Sequence, residues 1–168
     1  MLKRFFKKGI VLILSLLLLC AMVSFAEDSD SGSIREAIRL SKNGDYQGAI
    51  TIFNELLKKD DYMKNPAIHF HLGLAYYSSG QYNEALKAFI TTETLDQTKG
   101  LPYYFTGLIY EAKALSEKDP QQVRALKTKA LASWQDFLRF ADADKRDKNK
   151  IPVAEKHISL LKEELSEK

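Results

Sequence analysis

The chain has 168 residues, with 25 lysines and arginines against 22 aspartates and glutamates, and therefore a formal charge of +3. Hydrophobic residues make up 45% of it, which is too many for a disordered chain, and the length allows one domain with an appendage. The single cysteine excludes an intramolecular disulfide framework and a cysteine-based zinc finger.

The first 26 residues differ in character from the rest of the chain. A basic start contains Lys3, Arg4, Lys7 and Lys8 and no acidic residue. An almost wholly apolar run follows over residues 9–25, and the small-x-small tripeptide Ser-Phe-Ala occupies residues 24–26. This order is typical of a secretory signal peptide, and it predicts that residues 1–26 direct export across the cytoplasmic membrane and are then removed.

Two alternatives remain for this N-terminal segment. It could stay as a signal anchor, in which case its positive charges would hold the N-terminus in the cytoplasm and residue 27 onward would still lie outside. Lipidation at Cys20 is the other alternative, although Leu17, Leu18 and Leu19 match a bacterial lipoprotein signal poorly. Contact with a membrane is expected only in these two cases. The expected location is the periplasm or cell envelope of a bacterium, or the medium.

Removal of residues 1–26 changes the charge. It leaves 21 basic residues against 22 acidic ones, a net charge of −1, and no cysteine. The remaining basic residues alternate with acidic ones and do not cluster, so nucleic acid is not a predicted partner.

An internal repeat dominates the remaining sequence. The ten residues 44–53 and the ten residues 80–89 share Gly, Tyr, Ala and Phe at an offset of 36. A third copy begins near Tyr104, and its later half, residues 130–134, is displaced by 11 additional residues. A period of this length predicts stacked structural units.

The second copy, with Leu72-Gly73-x-x-Tyr76 and then Gly80-x-Tyr82-x-x-Ala85-x-x-x-Phe89, resembles the tetratricopeptide repeat (TPR) family. The resemblance implies an all-α solenoid of about three helical hairpins. The expected repeats cover residues 30–63, 66–99 and 100–140, the last with an insertion that lengthens both of its helices into a projecting hairpin. The array as a whole is expected over residues 33–140, after a short linker at residues 27–32.

Helix signals support the same organisation independently of the family. All four prolines stand where helices should begin, and the apolar residues recur at spacings of three and four. Ala49, Ala85 and Ala130 are expected where the two helices of each unit cross. The predicted helices lie near residues 33–43, 46–59, 66–79, 82–95, 101–116, 120–140 and 152–166.

The C-terminal part is predicted to be a charged linker, residues 141–150, followed by a capping helix, residues 151–168. Three aspartates in the linker suggest a calcium loop starting at Asp142, but such a loop needs Gly at its sixth position and Glu at its twelfth. Asp147 and Val153 stand there, so a solvated charge run is preferred. One face of the last helix is apolar: Ala154, Ile158, Leu161 and Leu165.

No catalytic constellation is present, so an enzyme is not predicted, and neither a cofactor nor a metal site is expected. The histidines are His69, His71 and His157. The first two are two residues apart on a helix and point in different directions, so they cannot share a metal ion. His69 is expected to be a packed residue.

The TPR resemblance implies that the first helix of each unit lines a concave groove that binds proteins or peptides. The residues carried over to that groove as partner-binding candidates are Ile34, Ile38, Phe70, Leu74, Tyr77, Tyr104 and Leu108. They lack the Lys/Asn pattern of TPR proteins that clamp a C-terminal carboxylate. The terminal helix or the N-terminal segment could instead fold back and fill the groove.

These observations together predict a non-enzymatic scaffold or adaptor for protein–protein contacts in the cell envelope. Two alternatives remain open. The protein could be a carrier for an extended peptide or a small apolar ligand, or an envelope-anchored structural subunit that self-associates through the same surface.

Overall fold

The computed structural model describes residues 30–141 and 145–167. Within these ranges the chain is helical and contains no strand. The predicted signal segment, residues 27–29 of the predicted linker, and Asp142 and Asp144 of the calcium hypothesis lie outside the described residues. The rest of that linker, residues 30–32, is helical, so the first helix begins three residues earlier than predicted. No helix of the described part is both long and apolar enough to cross a membrane.

The helices follow one another as antiparallel pairs, as the sequence predicts. They are α1 (30–42), α2 (Tyr46–Leu56), α3 (Asp60–Met63), α4 (Pro66–Ser78), α5 (Tyr82–Leu95), α6 (Gly100–Ser116), α7 (Pro120–Ala141), a 3-10 helix (Lys145–Lys150) and α8 (Ile151–Ser166). Units one, two and three are therefore α1–α2, α4–α5 and α6–α7. The all-α solenoid is confirmed, with α8 closing its C-terminal end.

One predicted helix is shorter than expected. The second helix was expected to reach residue 59, but α2 ends at Leu56 and the single turn α3 follows. The reason lies in residues 58–61, which are Lys-Lys-Asp-Asp. All four are exposed, so no apolar side chain there holds the helix on the core.

Units one and two turn between their helices in the same way. Gly44 and Gly80 have φ angles of 88° and 78°, a left-handed conformation that glycine adopts without steric cost. In each turn the following residue donates its N–H to a carbonyl five residues earlier, at 2.9 Å. This is the Schellman arrangement that ends many helices. Unit three turns instead at Asp119, whose carboxylate accepts the Gln121 N–H at 2.9 Å.

Small residues let the helices of each unit approach closely. Ala49, Ala85 and Ala130 are fully buried, as expected for the crossing points. A Cβ added at Gly73 would lie 2.7 Å from the Phe89 ring, and one added at Gly107 would lie 2.9 Å from the Trp134 ring. Glycine at these two positions therefore makes room for a large aromatic ring on the partner helix.

The insertion in unit three lengthens both of its helices, as predicted. Helices α6 and α7 have 17 and 22 residues, whereas α4 and α5 have 13 and 14. The added turns of α7 hold the end of α8. Arg124 donates to the Leu165 carbonyl at 2.7 Å, and Lys127 pairs with Glu164 at 3.0 Å. The extra length therefore has a structural role.

The segment between α7 and α8 is not simply a solvated linker. Residues 145–150 form the 3-10 helix, and Asp147 is only 1% exposed. The absence of a side chain at Gly100 makes room for it, since a Cβ there would lie 3.3 Å from an Asp147 carboxylate oxygen. The predicted solvation of this charge run is wrong at Asp147, because its side chain lies against α6 at Gly100 and not in solvent.

The capping helix packs through the face that the sequence predicts. Ala154 and Leu161 are buried, and Ile158 and Leu165 are half-buried. Ile158 packs with the aromatic residues of α7, in the same cluster as Trp134. The helix thus covers the last exposed surface of the array, which repeat proteins require for solubility.

Candidate functional site

All seven predicted partner-binding residues are half-buried, so each contributes to packing and also reaches the surface. Ile34 and Ile38 pack on the core of unit one. Phe70, Leu74 and Tyr77 pack on the seam between units two and three, whereas Tyr104 and Leu108 pack on the cluster that contains Trp134. We call the surface formed by these seven residues the groove.

Phe105, which the sequence pattern did not single out, joins the aromatic part of the groove. Its ring lies 6.3 Å from Phe70, 5.2 Å from Tyr77 and 5.6 Å from Tyr104, measured between centroids. It also stacks on Phe89 of α5 at 5.2 Å. The structure thus brings three predicted residues together through a fourth, while Ile34 and Ile38 lie in a separate cluster.

One contact recurs at every seam between units. A ring from the second helix of a unit stacks on a ring of the helix that opens the next unit. The pairs are Phe53 with His71 at 6.2 Å, Phe89 with Phe105 at 5.2 Å, and Trp134 with His157 at 4.7 Å. Helix α8 therefore stands in the place of a fourth first helix. The signal in the sequence is the 34-residue spacing between His71 and Phe105.

His71 and His69 are both packed within the fold. Burial, with a smaller contribution from the charge of Lys42, lowers the pKa of His71, so its ring is neutral at pH 7. His69 is half-buried and contacts the Met63 carbonyl through Nε2 at 2.9 Å. Neither arrangement resembles an acid–base site.

A half-buried carboxylate, that of Glu111, joins the groove to α8. Glu111 accepts the Trp134 Nε1–H at 2.6 Å, and its other oxygen lies 2.8 Å from Nδ1 of His157. These contacts join α6, α7 and α8. Because both oxygens of Glu111 are occupied, this carboxylate serves the fold at the C-terminal end of the groove.

A cavity of about 280 Å³ opens at the other end of the groove, beside the first turns of α4 and α6. Its walls include Pro66, Phe70, Leu101 and Pro102, which are apolar. Lys99 and Asp96 from the loop before α6 also line it, as does Asp147 from the 3-10 helix. Phe70 belongs both to the groove and to the cavity wall.

Another half-buried acid lies in the seam between units two and three. Burial raises the pKa of Glu93 to about 7, against the opposing hydrogen bond from Thr106. The charge of Asp136 adds a smaller contribution in the same direction. In the described part of the chain, no three His, Cys, Asp or Glu side chains are grouped so that they could hold a metal ion.

Residues 40–98 match the tetratricopeptide repeat family, and they span the end of α1, all of unit two and the segment between them. This part of the chain therefore carries a tetratricopeptide repeat sequence, and the helical pairs of the described residues extend the same arrangement beyond it. No curated protein matches it in sequence.

Solved structures share the fold at low identity. The type III secretion chaperone SycD of Yersinia enterocolitica, in complex with a peptide of the translocator YopD, superposes with a TM-score of 0.69 at 14% identity, over 82% of this chain and 95% of that one. A chain of a type III secretion complex from Aeromonas hydrophila gives 0.69 at 13%, over 84% and 85%. A thermophilic TPR protein of Thermus thermophilus gives 0.60 at 19%, over 80% and 75%. At these identities the similarity shows a shared fold.

Proposed function

We propose that this TPR protein is exported and acts as a non-enzymatic scaffold or adaptor in the cell envelope, through the groove. The observation that carries the proposal is the continuous half-exposed aromatic surface of Phe70, Tyr77, Tyr104 and Phe105. Aromatic side chains that are half-buried before binding are already oriented, and they are typical anchors of protein interfaces.

The neighbours support the binding part of the proposal. SycD was solved with a peptide of another protein. The same fold here, with an aromatic groove on its first helices, favours a protein or peptide partner. The signal-like residues 1–26 support export.

Crosslinking in intact cells tests the groove. Phe70→Glu combined with Tyr104→Glu should abolish capture of a distinct partner protein, because each substitution replaces a half-buried aromatic ring by a charge that binding would have to desolvate. The circular dichroism spectrum of this variant should stay helical. Ile90→Glu combined with Leu115→Glu is the matched control, since both residues are exposed and apolar but lie outside the groove. Capture that persists in the groove variant, or is lost equally in the control, would contradict the groove as the binding surface.

Mass spectrometry of the mature N-terminus tests export. A chain that begins at Glu27 supports a cleaved signal, an acylated Cys20 a lipoprotein, and a retained Met1 in the membrane fraction an anchor. An intact N-terminus in the cytoplasmic fraction would contradict export in all three forms.

The cavity beside Phe70 gives the carrier alternative a specific basis. Organic extraction of the purified protein, followed by mass spectrometry, distinguishes a carrier from a scaffold. A stoichiometric small molecule would support the carrier, and a crosslink to a distinct protein supports the scaffold. Crosslinks to further copies of the same chain alone would support the self-associating subunit.

A further inference from the structure

We infer that Glu93 is a pH-sensitive switch in the seam between units two and three. When protonated, Glu93 bridges α5 to α6 through Thr106, and when ionised it releases this bridge and loosens the aromatic part of the groove. The switch is a property of the fold, and only its effect on a partner rests on the proposed function. Three features carry the inference: the position of Glu93, the hydrogen bonds of Thr106 and the charges around both.

Glu93 lies where two units meet. It belongs to α5, the second helix of unit two, and its Oε1 is 2.6 Å from Oγ1 of Thr106 on α6, the first helix of unit three. Thr106 is 2% exposed and Glu93 is half-buried. Their contact is therefore a side-chain hydrogen bond that joins the two units inside the seam.

The Thr106 hydroxyl cannot donate to both of its neighbours. Besides Glu93, the carbonyl oxygen of Pro102 lies 2.9 Å from Oγ1, and a hydroxyl has one proton to donate. A protonated Glu93 donates to Thr106, which then donates to Pro102, so both hydrogen bonds form. An ionised Glu93 competes with Pro102 for the same proton, and one of the two hydrogen bonds is lost.

The groups around Glu93 favour its neutral form. Asp136 on α7 repels a charge on Glu93, and Arg139 is already paired with Asp136 at 3.1 Å. Tyr103 and Tyr110 interact with Glu93 from α6, and burial raises the pKa of both phenols, so both are uncharged near pH 7. Burial of Glu93 acts in the same direction as Asp136 and raises its pKa to about 7.

The other titratable groups on α5 and α4 have positions or contacts elsewhere. On α5, Glu84 and Lys87 are exposed, and Asp96 at its end accepts two hydrogen bonds from Thr98. On α4 the contacts are His69 with the Met63 carbonyl, His71 with the Phe53 ring, Tyr76 with the Asn54 amide and Tyr77 with the Phe105 ring. Within the described residues, no cation forms an ion pair with Glu93.

The same seam positions the aromatic part of the groove. Phe89 precedes Glu93 by about one turn of α5, and its ring stacks at 5.2 Å on Phe105, the residue before Thr106 on α6. Phe105 also contacts Tyr77 of the groove at 5.2 Å. Loss of the bridge between Glu93 and Thr106 therefore acts directly beside the ring pair that joins unit two to unit three.

The direction and size of the effect follow from proton linkage. Opening the seam returns Glu93 to water, where its pKa is 4.5, whereas the closed seam raises the pKa to about 7. The closed seam therefore binds more protons between these two values, and opening becomes more favourable as the pH rises through them. These pKa values give about a tenfold increase in the open fraction from pH 6 to pH 8.

Hydrogen–deuterium exchange of the purified full chain tests this inference, because exchange reports local opening. Rates at pH 6 and pH 8 are corrected for the intrinsic pH dependence of exchange. We expect protection of residues 89–110 to fall about tenfold between these conditions, and protection of unit one to change less. Carboxyl ¹³C NMR should give a titration midpoint near pH 7 for Glu93.

Three variants identify the group responsible. Glu93→Gln carries no charge and donates to Thr106, so protection at pH 8 should equal that at pH 6. Glu84→Gln makes the same change at an exposed position of α5 and should leave the pH dependence intact. Asp136→Asn removes the repulsion on Glu93, so the NMR midpoint of Glu93 should move to lower pH.

A midpoint near 4.5, an equal change of protection along the whole chain, or a pH dependence that survives in Glu93→Gln would overturn the inference. If protection does not depend on pH while crosslinking in cells still requires Phe70 and Tyr104, the switch is wrong and the scaffold stands. If the seam responds as expected while the groove variant still captures its partner, the switch stands and the groove is contradicted as the binding surface.

Discussion

The seam between units two and three and the seam between unit three and α8 use the same geometry with different chemistry. In the first, Phe89 stacks on Phe105 and the contact is wholly apolar. In the second, Trp134 stacks on His157, and both rings also contact the Glu111 carboxylate. A flat ring thus occupies this position in both seams, while its polarity differs between them.

The two seams also treat their carboxylates differently. The Glu111 carboxylate contacts two nitrogen atoms. The Glu93 carboxylate instead contacts the Thr106 hydroxyl, which is also within hydrogen-bond distance of a second acceptor, the Pro102 carbonyl. Thr106 Oγ1 lies 2.6 Å from Glu93 and 2.9 Å from the Pro102 carbonyl, but a hydroxyl has only one proton to donate. A protonated Glu93 resolves this conflict by donating to Thr106, which is then free to donate to Pro102. The raised pKa agrees with this arrangement.

The largest effect is expected from breaking the apolar seam. Phe89→Ala removes a fully buried ring that contacts Phe70 and Phe105, and we expect it to lower the free energy of unfolding by about 3–5 kcal/mol. Urea denaturation followed by circular dichroism measures this loss. Ile90→Ala, at the exposed neighbouring position, is the control. A loss below about 1 kcal/mol in Phe89→Ala would show that the seam does not carry the stability assigned to it.

The next effect concerns pH. Because the pKa of Glu93 is raised in the folded state, the folded protein binds more protons than the unfolded chain between pH 4.5 and about 7. Stability should therefore fall as the pH rises through this window and level off above it. Each pKa unit corresponds to about 1.4 kcal/mol, and partial exposure of Glu93 reduces the total to about 2 kcal/mol.

Glu93→Gln should remove this pH dependence and stabilise the protein at pH 8, because a neutral amide replaces the charged form. Thermal unfolding at pH 5 and pH 8 provides the comparison. Glu155→Gln, at an exposed position on α8, should leave the slope unchanged. If Glu93→Gln keeps the slope of the parent protein, another group is responsible for it.

The smallest effect is expected from making the second seam resemble the first. His157→Phe keeps a flat ring on Trp134 and removes one partner of Glu111, which retains the Trp134 N–H. We expect a cost of roughly 1 kcal/mol, equivalent to a melting temperature lower by about 2–4 °C. A higher melting temperature would show that an apolar ring serves better there. His69→Phe, outside this seam, is the matched substitution.

Local patterns predicted the helices well, because turn glycines, prolines and small residues act within a few positions of where they stand. Gly80 and Ala85 define unit two without any knowledge of the tertiary structure. Features that depend on distant elements could not be predicted in this way. The burial of Asp147 depends on Gly100, 47 positions earlier, and the position of Glu93 depends on helices α6 and α7.

The groove also combines residues that a local pattern predicts with a residue that it does not. The family pattern placed Phe70, Tyr77 and Tyr104 on successive first helices, and the structure brings them within reach of one another. The family pattern could not indicate that Phe105 joins them, because that contact also depends on Phe89 of the preceding unit.

The stacking of His157 on Trp134 has a consequence for spectroscopy. Trp134 is the single tryptophan of the chain, and it is fully buried beneath α8. Its emission therefore reports whether the C-terminal end is closed, while units one and two contribute only tyrosine and phenylalanine to the signal. If the array opens from that end, tryptophan fluorescence will change at a lower urea concentration than the helical circular dichroism signal does. Two optical measurements on the unlabelled protein can thus follow fraying of α8 separately from unfolding of the array.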